Sequence, residues 1–175
     1  NAVNFQLMKV DIDKAGDKAN WQSVIPARED IKLEGVELFT HFMVVTEREL
    51  GQIRFVVYKK DGTQYPLEFN DPCYYAAVGD NPEPSSETAR LYYSSLTTPG
   101  SLFEFDLNTG ERKLLKQQKV LGDFNADNYG SERLFIEARD GVKVPVSIVY
   151  HKEKFKKEGT NPLFQYGYGT YGITI

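Results

Sequence analysis

Apolar and polar side chains alternate in short runs along most of this chain, the period-two pattern of strands that bury one face. Residues 38–46 and 52–58 read as two such strands with Gly51 between them, and Lys60-Asp61-Gly62-Thr63 turns the chain into residues 65–69. The same order returns further on. Residues 90–97 form a strand, Gly100 precedes the run 101–107, and Asn108-Thr109-Gly110-Glu111 turns into residues 112–115. Gly51 and Gly100 are 49 positions apart, an interval that suits a four-stranded propeller blade, for which repeats run at roughly 40 to 50 residues. A blade cannot bury both faces alone and needs neighbours. A plain antiparallel meander accounts for the same two recurrences. Residues 4–10 and 21–26 read as outer strands of a preceding blade.

From Asn128 the pattern changes. Residues 131–138 and 142–150 flank Arg139-Asp140-Gly141, a hairpin signal because Asp-Gly suits a primed two-residue turn. Pro145 marks the second strand as an edge or a bulge. Residues 151–159 form a charged, solvated connector, after which Pro162-Leu163-Phe164-Gln165-Tyr166 reads as a short buried strand. It feeds into Tyr166-Gly167-Tyr168-Gly169-Thr170-Tyr171-Gly172. Glycine there lets the backbone turn sharply and approach a ligand, and a tyrosine hydroxyl offers a donor to a reacting oxygen. Turn and packing roles explain the same composition. Two antiparallel strands, a crossover and a third strand are how an α/β-hydrolase sheet opens, and in nucleophile-elbow hydrolases the loop after the third strand supplies part of the oxyanion hole. The expected fold is therefore mainly β: a partial propeller of two to three blades over residues 1–125, then the first strands of an α/β-hydrolase domain over residues 126–175, cut off mid-domain.

Composition narrows the class. With 175 residues, 41% hydrophobic and 26% charged, the chain is long enough for one core or two small ones. Eleven Tyr and eleven Phe favour strands over helices. No run approaches the roughly 20 apolar residues of a membrane span, so no membrane partner is expected. The opening Asn1-Ala2-Val3-Asn4-Phe5 has neither an initiator Met nor a basic stretch, which reads as an excised piece rather than a signal peptide. Cys73, the single cysteine, cannot form an internal disulfide, and a cytoplasmic setting is the expectation. A pI near 5.3 and a net charge of −4 give the wrong field for nucleic acid.

The chain is short of catalytic groups. His41 falls in an alternating strand and His151 starts the charged connector, with no Cys or second His at ligand spacing, so neither a metal nor a cofactor is expected. There is no Gly-x-Ser-x-Gly elbow and no phosphate-binding glycine loop. The carboxylate pairs Glu29-Asp30 and Glu47 with Glu49 read as solvated faces of turns and strand ends. Cys73, beside Tyr74 and Tyr75, reads as a small buried hydrophobe rather than a nucleophile.

Three blocks carry a resemblance. Leu102-Phe103-Glu104-Phe105-Asp106-Leu107-Asn108-Thr109-Gly110-Glu111, then Ala138-Arg139-Asp140-Gly141-Val142-Lys143-Val144-Pro145-Val146-Ser147, then the Tyr166 to Gly172 block together resemble the oligopeptidase B branch of the prolyl oligopeptidase family of serine peptidases. Trp21-Gln22-Ser23-Val24-Ile25-Pro26 and Leu33-Glu34-Gly35-Val36-Glu37-Leu38-Phe39 are similar to its propeller. The resemblance implies a two-domain parent: a seven-bladed propeller that restricts access, and an α/β-hydrolase domain that cleaves short peptides after Arg or Lys. It also implies that the Ser, Asp and His of the triad lie downstream, so that this piece hydrolyses nothing alone. By position in the Tyr-Gly-Tyr-Gly motif, the resemblance assigns Tyr168 as an oxyanion donor and Tyr171 as a wall of the substrate-binding pocket. A preorganised donor of that kind is worth ~3 to 4 kcal/mol in comparable enzymes. Two rivals stand beside this reading: a prolyl oligopeptidase cleaving after Pro, and a non-enzymatic propeller interaction module. The truncated tail is expected to dock on the blades, to self-associate with another copy, or to lack order.

Overall fold

The structure is a computed structural model and describes residues 2–171. Twelve strands and three single-turn 3-10 segments make up its regular elements, and no α-helix or parallel strand pair occurs among the described residues. Strands β1 (Leu7–Lys9) and β2 (Gln22–Ile25) pair antiparallel. Next comes a four-stranded antiparallel meander of β3 (Ile31–Leu38), β4 (Phe42–Glu49), β5 (Gln52–Lys59) and β6 (Gln64–Leu67). A second meander follows, of β7 (Tyr74–Val78), β8 (Thr88–Ser95), β9 (Ser101–Asp106) and β10 (Arg112–Gln117). Strands β11 (Tyr129–Glu137) and β12 (Lys143–His151) then form a separate hairpin.

Alternation explains which faces meet. Phe42 and Val44 on β4 and Ile53, Phe55 and Val57 on β5 point to one side of the first meander. Ala89, Leu91 and Tyr93 on β8 and Phe105 on β9 point to one side of the second, and all of them join a single core. Burying a large apolar side chain of this kind contributes ~1.5 to 3 kcal/mol. Phe69, in the connection from β6 to β7, packs among the rings: it stacks on Tyr93 with centroids 4.7 Å apart and meets Phe105 and Phe55 edge-on. Arg112 closes the cluster, its guanidinium 5.6 Å from the Phe69 ring centre and 5.1 Å from that of Phe103 while it donates to the Glu68 carbonyl. One core therefore serves two sheets.

Several expectations need correction. The run 38–46 is not one strand: the chain turns at residues 39–41, where the Phe39 amide bonds the Phe42 carbonyl at 2.9 Å and the Thr40 amide bonds the Pro84 carbonyl at 2.7 Å. The first strand of each meander was not legible in the alternation, because β3 carries Gly35 at a register shift and β7 is short. The Asp-Gly hairpin is not a primed two-residue turn. Ala138 bonds Val142 across a three-residue loop in which Gly141 alone has a positive φ, 83°, the arrangement of a turn closed by a glycine bulge. Residues 163–166 form no strand, and Leu163 and Phe164 are 83% and 90% exposed. A strand there needs a neighbour to accept its backbone hydrogen bonds, and none of the described elements lies beside it. Residues 160–171 are exposed, so the described part of the tail does not dock on the blades.

Candidate functional site

The Tyr/Gly segment is an extended, irregular stretch beyond the hairpin. Tyr168 is 45% exposed and Tyr171 91%, and among the described residues neither hydroxyl has a hydrogen-bond partner. Tyr171 has a φ of 53°, a left-handed conformation uncommon for a side chain of that bulk. Gly172, the last residue of the motif, lies outside the described residues. Among the described residues no ion pair or hydrogen bond joins either side chain to a charged group, and neither lines either of two hollows. These hollows lie elsewhere. One, of about 420 Å³, lies between the β8–β9 connection and the segment leading to β11, lined by Thr97, Pro99, Gln118 and Phe124 among others. The second, of about 370 Å³, is lined by Lys9, Asp11, Lys14 and Gln22.

The remaining candidates have structural surroundings. Cys73 is buried, as its aromatic neighbours suggested, and its Sγ donates to the Glu132 carbonyl at 3.3 Å. His41 is exposed in the turn between β3 and β4 rather than inside a strand. His151 ends β12 rather than opening the connector, edge-on to Tyr129, with its Nδ1 buried and unpartnered among the described residues. No group of three His, Cys, Asp or Glu side chains among the described residues is placed to hold a metal. No helix among them is long and apolar enough to cross a membrane.

Glu47 overturns its reading as a solvated carboxylate. Its side chain is 0% exposed, on the face of the first meander away from the shared core, and it accepts from Arg28 on one oxygen and from Arg54 Nε at 2.9 Å on the other. Arg54 also reaches Glu49 at 2.5 Å. Glu47 and Arg54 lie directly opposite in the β4–β5 register, while Arg28 arrives from the connection between β2 and β3. That connection is itself tied down by Asn4, whose Nδ2 donates to the Arg28 and Glu29 carbonyls at 3.1 and 2.7 Å. A buried carboxylate survives only when paired in this way. The cross-strand Arg54 was the signal in the sequence; the distant Arg28 had none.

Two further pairs show how position sets charge. Arg48 grips Glu34 with Nε at 2.7 Å and a second nitrogen at 3.0 Å, and these bonds hold the carboxyl below its ordinary range. On the hairpin, Tyr150 donates to Glu132 at 2.6 Å, which lowers the carboxyl and raises the phenol. These are fastenings, with no nucleophile and base among them.

Comparison with known proteins supplies what the side chains do not. Residues 1–118 match the family model described as prolyl oligopeptidase, N-terminal β-propeller domain. Over 99% of its length the chain is 37% identical to dipeptidyl aminopeptidase BI of Pseudoxanthomonas mexicana, and over 98% it is 32% identical to protease 2 of Moraxella lacunata. In each case it spans 24% of the relative. A solved structure of oligopeptidase B from Trypanosoma brucei, closed and with covalently bound antipain, superposes with a TM-score of 0.86 at 32% identity over 99% of this chain and 25% of that one.

Proposed function

Because this chain belongs to the prolyl oligopeptidase family, with residues 1–118 in its N-terminal β-propeller region, we propose that it is a portion of a longer serine peptidase that cleaves short peptides after Arg or Lys. The observation that carries this reading is the likeness to oligopeptidase B and protease 2, which continues past the propeller match through the hairpin and the Tyr/Gly segment. In this reading the two meanders are late blades of the propeller, and β11, β12 and the segment to Tyr171 begin the α/β-hydrolase part. The chain spans about a quarter of the length of its relatives. Nucleophile, acid and histidine then come from the remainder. Tyr168 donates its hydroxyl to the oxyanion of the tetrahedral intermediate, and Tyr171 walls the substrate pocket.

The test uses the full-length protein and fluorogenic peptides with blocked N-termini. We expect kcat/KM for Arg or Lys before the scissile bond to exceed that for Pro by about 10²-fold, a margin set by a charged pocket against a neutral residue. A preference for Pro would replace this reading with the prolyl oligopeptidase one. The name of the Pseudoxanthomonas relative favours a second reading, release of dipeptides from free N-termini; cleavage only of unblocked peptides, two residues in, would select it. Absence of both hydrolysis and fluorophosphonate labelling would leave the interaction module.

Tyr168→Phe keeps the ring and removes one donor that matters mainly in the transition state. Single-turnover acylation in the full-length protein is expected to slow by about 10²-fold, with substrate affinity and melting temperature little changed. Unchanged acylation would remove Tyr168 from the chemistry.

A further inference from the structure

Two meanders of one pattern follow each other in this chain, yet the faces they turn away from the shared core carry charge in opposite order. On the first, Val45 and Glu47 of β4 lie directly opposite Val56 and Arg54 of β5. On the second, the cross-strand ion pair is Arg90 of β8 with Glu104 of β9. Acid precedes base in one meander and follows it in the other. The two far faces are therefore not interchangeable.

The far face of the first meander is itself covered. Val45 and Val56 are buried, as is Ile25 at the end of β2, and none of the three belongs to the shared core. Apolar burial is non-directional, so two valines accept any flat apolar cover of the right shape. Glu47 does not. A carboxylate taken out of water is tolerated only against cations aimed at it, and this one is fully buried between Arg54 and Arg28. Arg54 belongs to the same face and is there whatever covers it. Arg28 is brought in by the connection from β2, and Asn4, ahead of β1, sets the path of that connection. The Asn4 side chain donates to the carbonyls of Arg28 and Glu29, and its own carbonyl accepts from the Leu33 amide of β3 at 2.9 Å. The group that completes Glu47 thus rides on the segment that joins the β1–β2 sheet to the first meander.

We propose that Glu47 is a pairing key: it selects the segment carrying Arg28, and with it the β1–β2 sheet, as the cover of this face over any other apolar surface. Choosing one register among similar ones is the best-attested use of a buried ionic group, which adds little stability over an apolar replacement but penalises every arrangement that leaves it unpaired. The key is independent of the reaction proposed for the longer protein.

The test separates selection from stability. In this chain, Arg28→Met with Glu47→Leu replaces the pair by apolar groups and leaves Arg54 its bond to Glu49. The urea midpoint of that double variant is expected to equal or exceed the wild-type value. The Ile25 methyl and Asn4 side-chain amide signals in NMR spectra, one set in the wild type, are expected to split into two or more sets, while those of the shared core stay single. Arg28→Met alone, which leaves Glu47 half-paired, is expected to lower the midpoint and split the same signals; if it does not fold, the double variant carries the test. A double variant with one set of signals at the wild-type positions would overturn the key, because apolar contact would then suffice to choose the cover. So would a midpoint well below wild type, which would make the pair a source of stability rather than of choice.

Discussion

At the scale of single residues, two glutamates show how burial decides the worth of an ion pair. Glu47 is enclosed between Arg28 and Arg54, whereas Glu34 shares Arg48 and Lys32 in partial contact with water. Removing one partner of a buried pair strands the others in a poor solvent, so Glu47→Gln is expected to cost about 3 kcal/mol. Glu34→Gln, with water at hand, is expected to cost about 0.5 to 1 kcal/mol. Urea unfolding of the two variants measures the difference, and equal losses would mean that water reaches Glu47. Glu34 also carries an acid dependence. The Arg48 bonds place the folded-state value of Glu34 below its unfolded one, so its contribution is full above the unfolded value and disappears as pH falls through the folded one.

At the scale of elements, the turns carry the register. The loop after β9 ends in Gly110, with φ of 78°, and a Cβ there would sit 3.1 Å from the Tyr65 ring, whose hydroxyl donates to the Leu107 carbonyl at 2.6 Å. Gly62, in the corresponding loop of the first meander, has φ of 88° and open space around it. Alanine at either site pays the left-handed penalty of ~1 kcal/mol. Gly110→Ala must in addition push back the tyrosine that ties the two meanders together. Its melting temperature is expected to fall several degrees further than that of Gly62→Ala, and equal falls would show that Tyr65 yields freely. The outer strands carry their own protection: β6 includes Pro66, and β10 includes Lys113 and Lys116, residues that discourage pairing with a second chain.

At the scale of the whole molecule, the shared core couples the two meanders through tyrosines. Burial holds Tyr65, Tyr74 and Tyr93 above the ordinary phenol value, and for Tyr93 the bond to Asp71, which also accepts from Thr98, adds to burial. Folded-state values raised in this way favour the protonated phenol in the native protein. Their contribution is full below about pH 10, where unfolded tyrosines keep their protons, and is lost as pH rises toward the folded-state values. As pH rises past about 10 the melting temperature is expected to fall in a single transition, with tyrosinate absorbance rising together with loss of sheet signal. Tyr93→Phe is expected to flatten that slope. Tyrosines that ionise near pH 10 while the sheets persist would show that the core admits water.

What the sequence determined was the local grammar: the alternation that makes β4, β5, β8 and β9, the glycine turns repeated between them, and the burial of Cys73 among aromatic neighbours. Period two is a property of a single strand and needs no partner to be read. Tertiary structure decided the rest, because partners distant in sequence set it. Glu47 reads as one more charged residue until Arg28, 19 positions away, covers it. The strands β3 and β7 lack clean alternation and gain their places from the sheets they open. Residues 163–166 have the composition of a buried strand but are left exposed, since a strand is defined by the neighbour that accepts its hydrogen bonds. Tyr168 stands with them: the motif around it was legible as sequence, while the groups that would give its hydroxyl a task must be brought to it by tertiary contacts, and none of the described residues makes them.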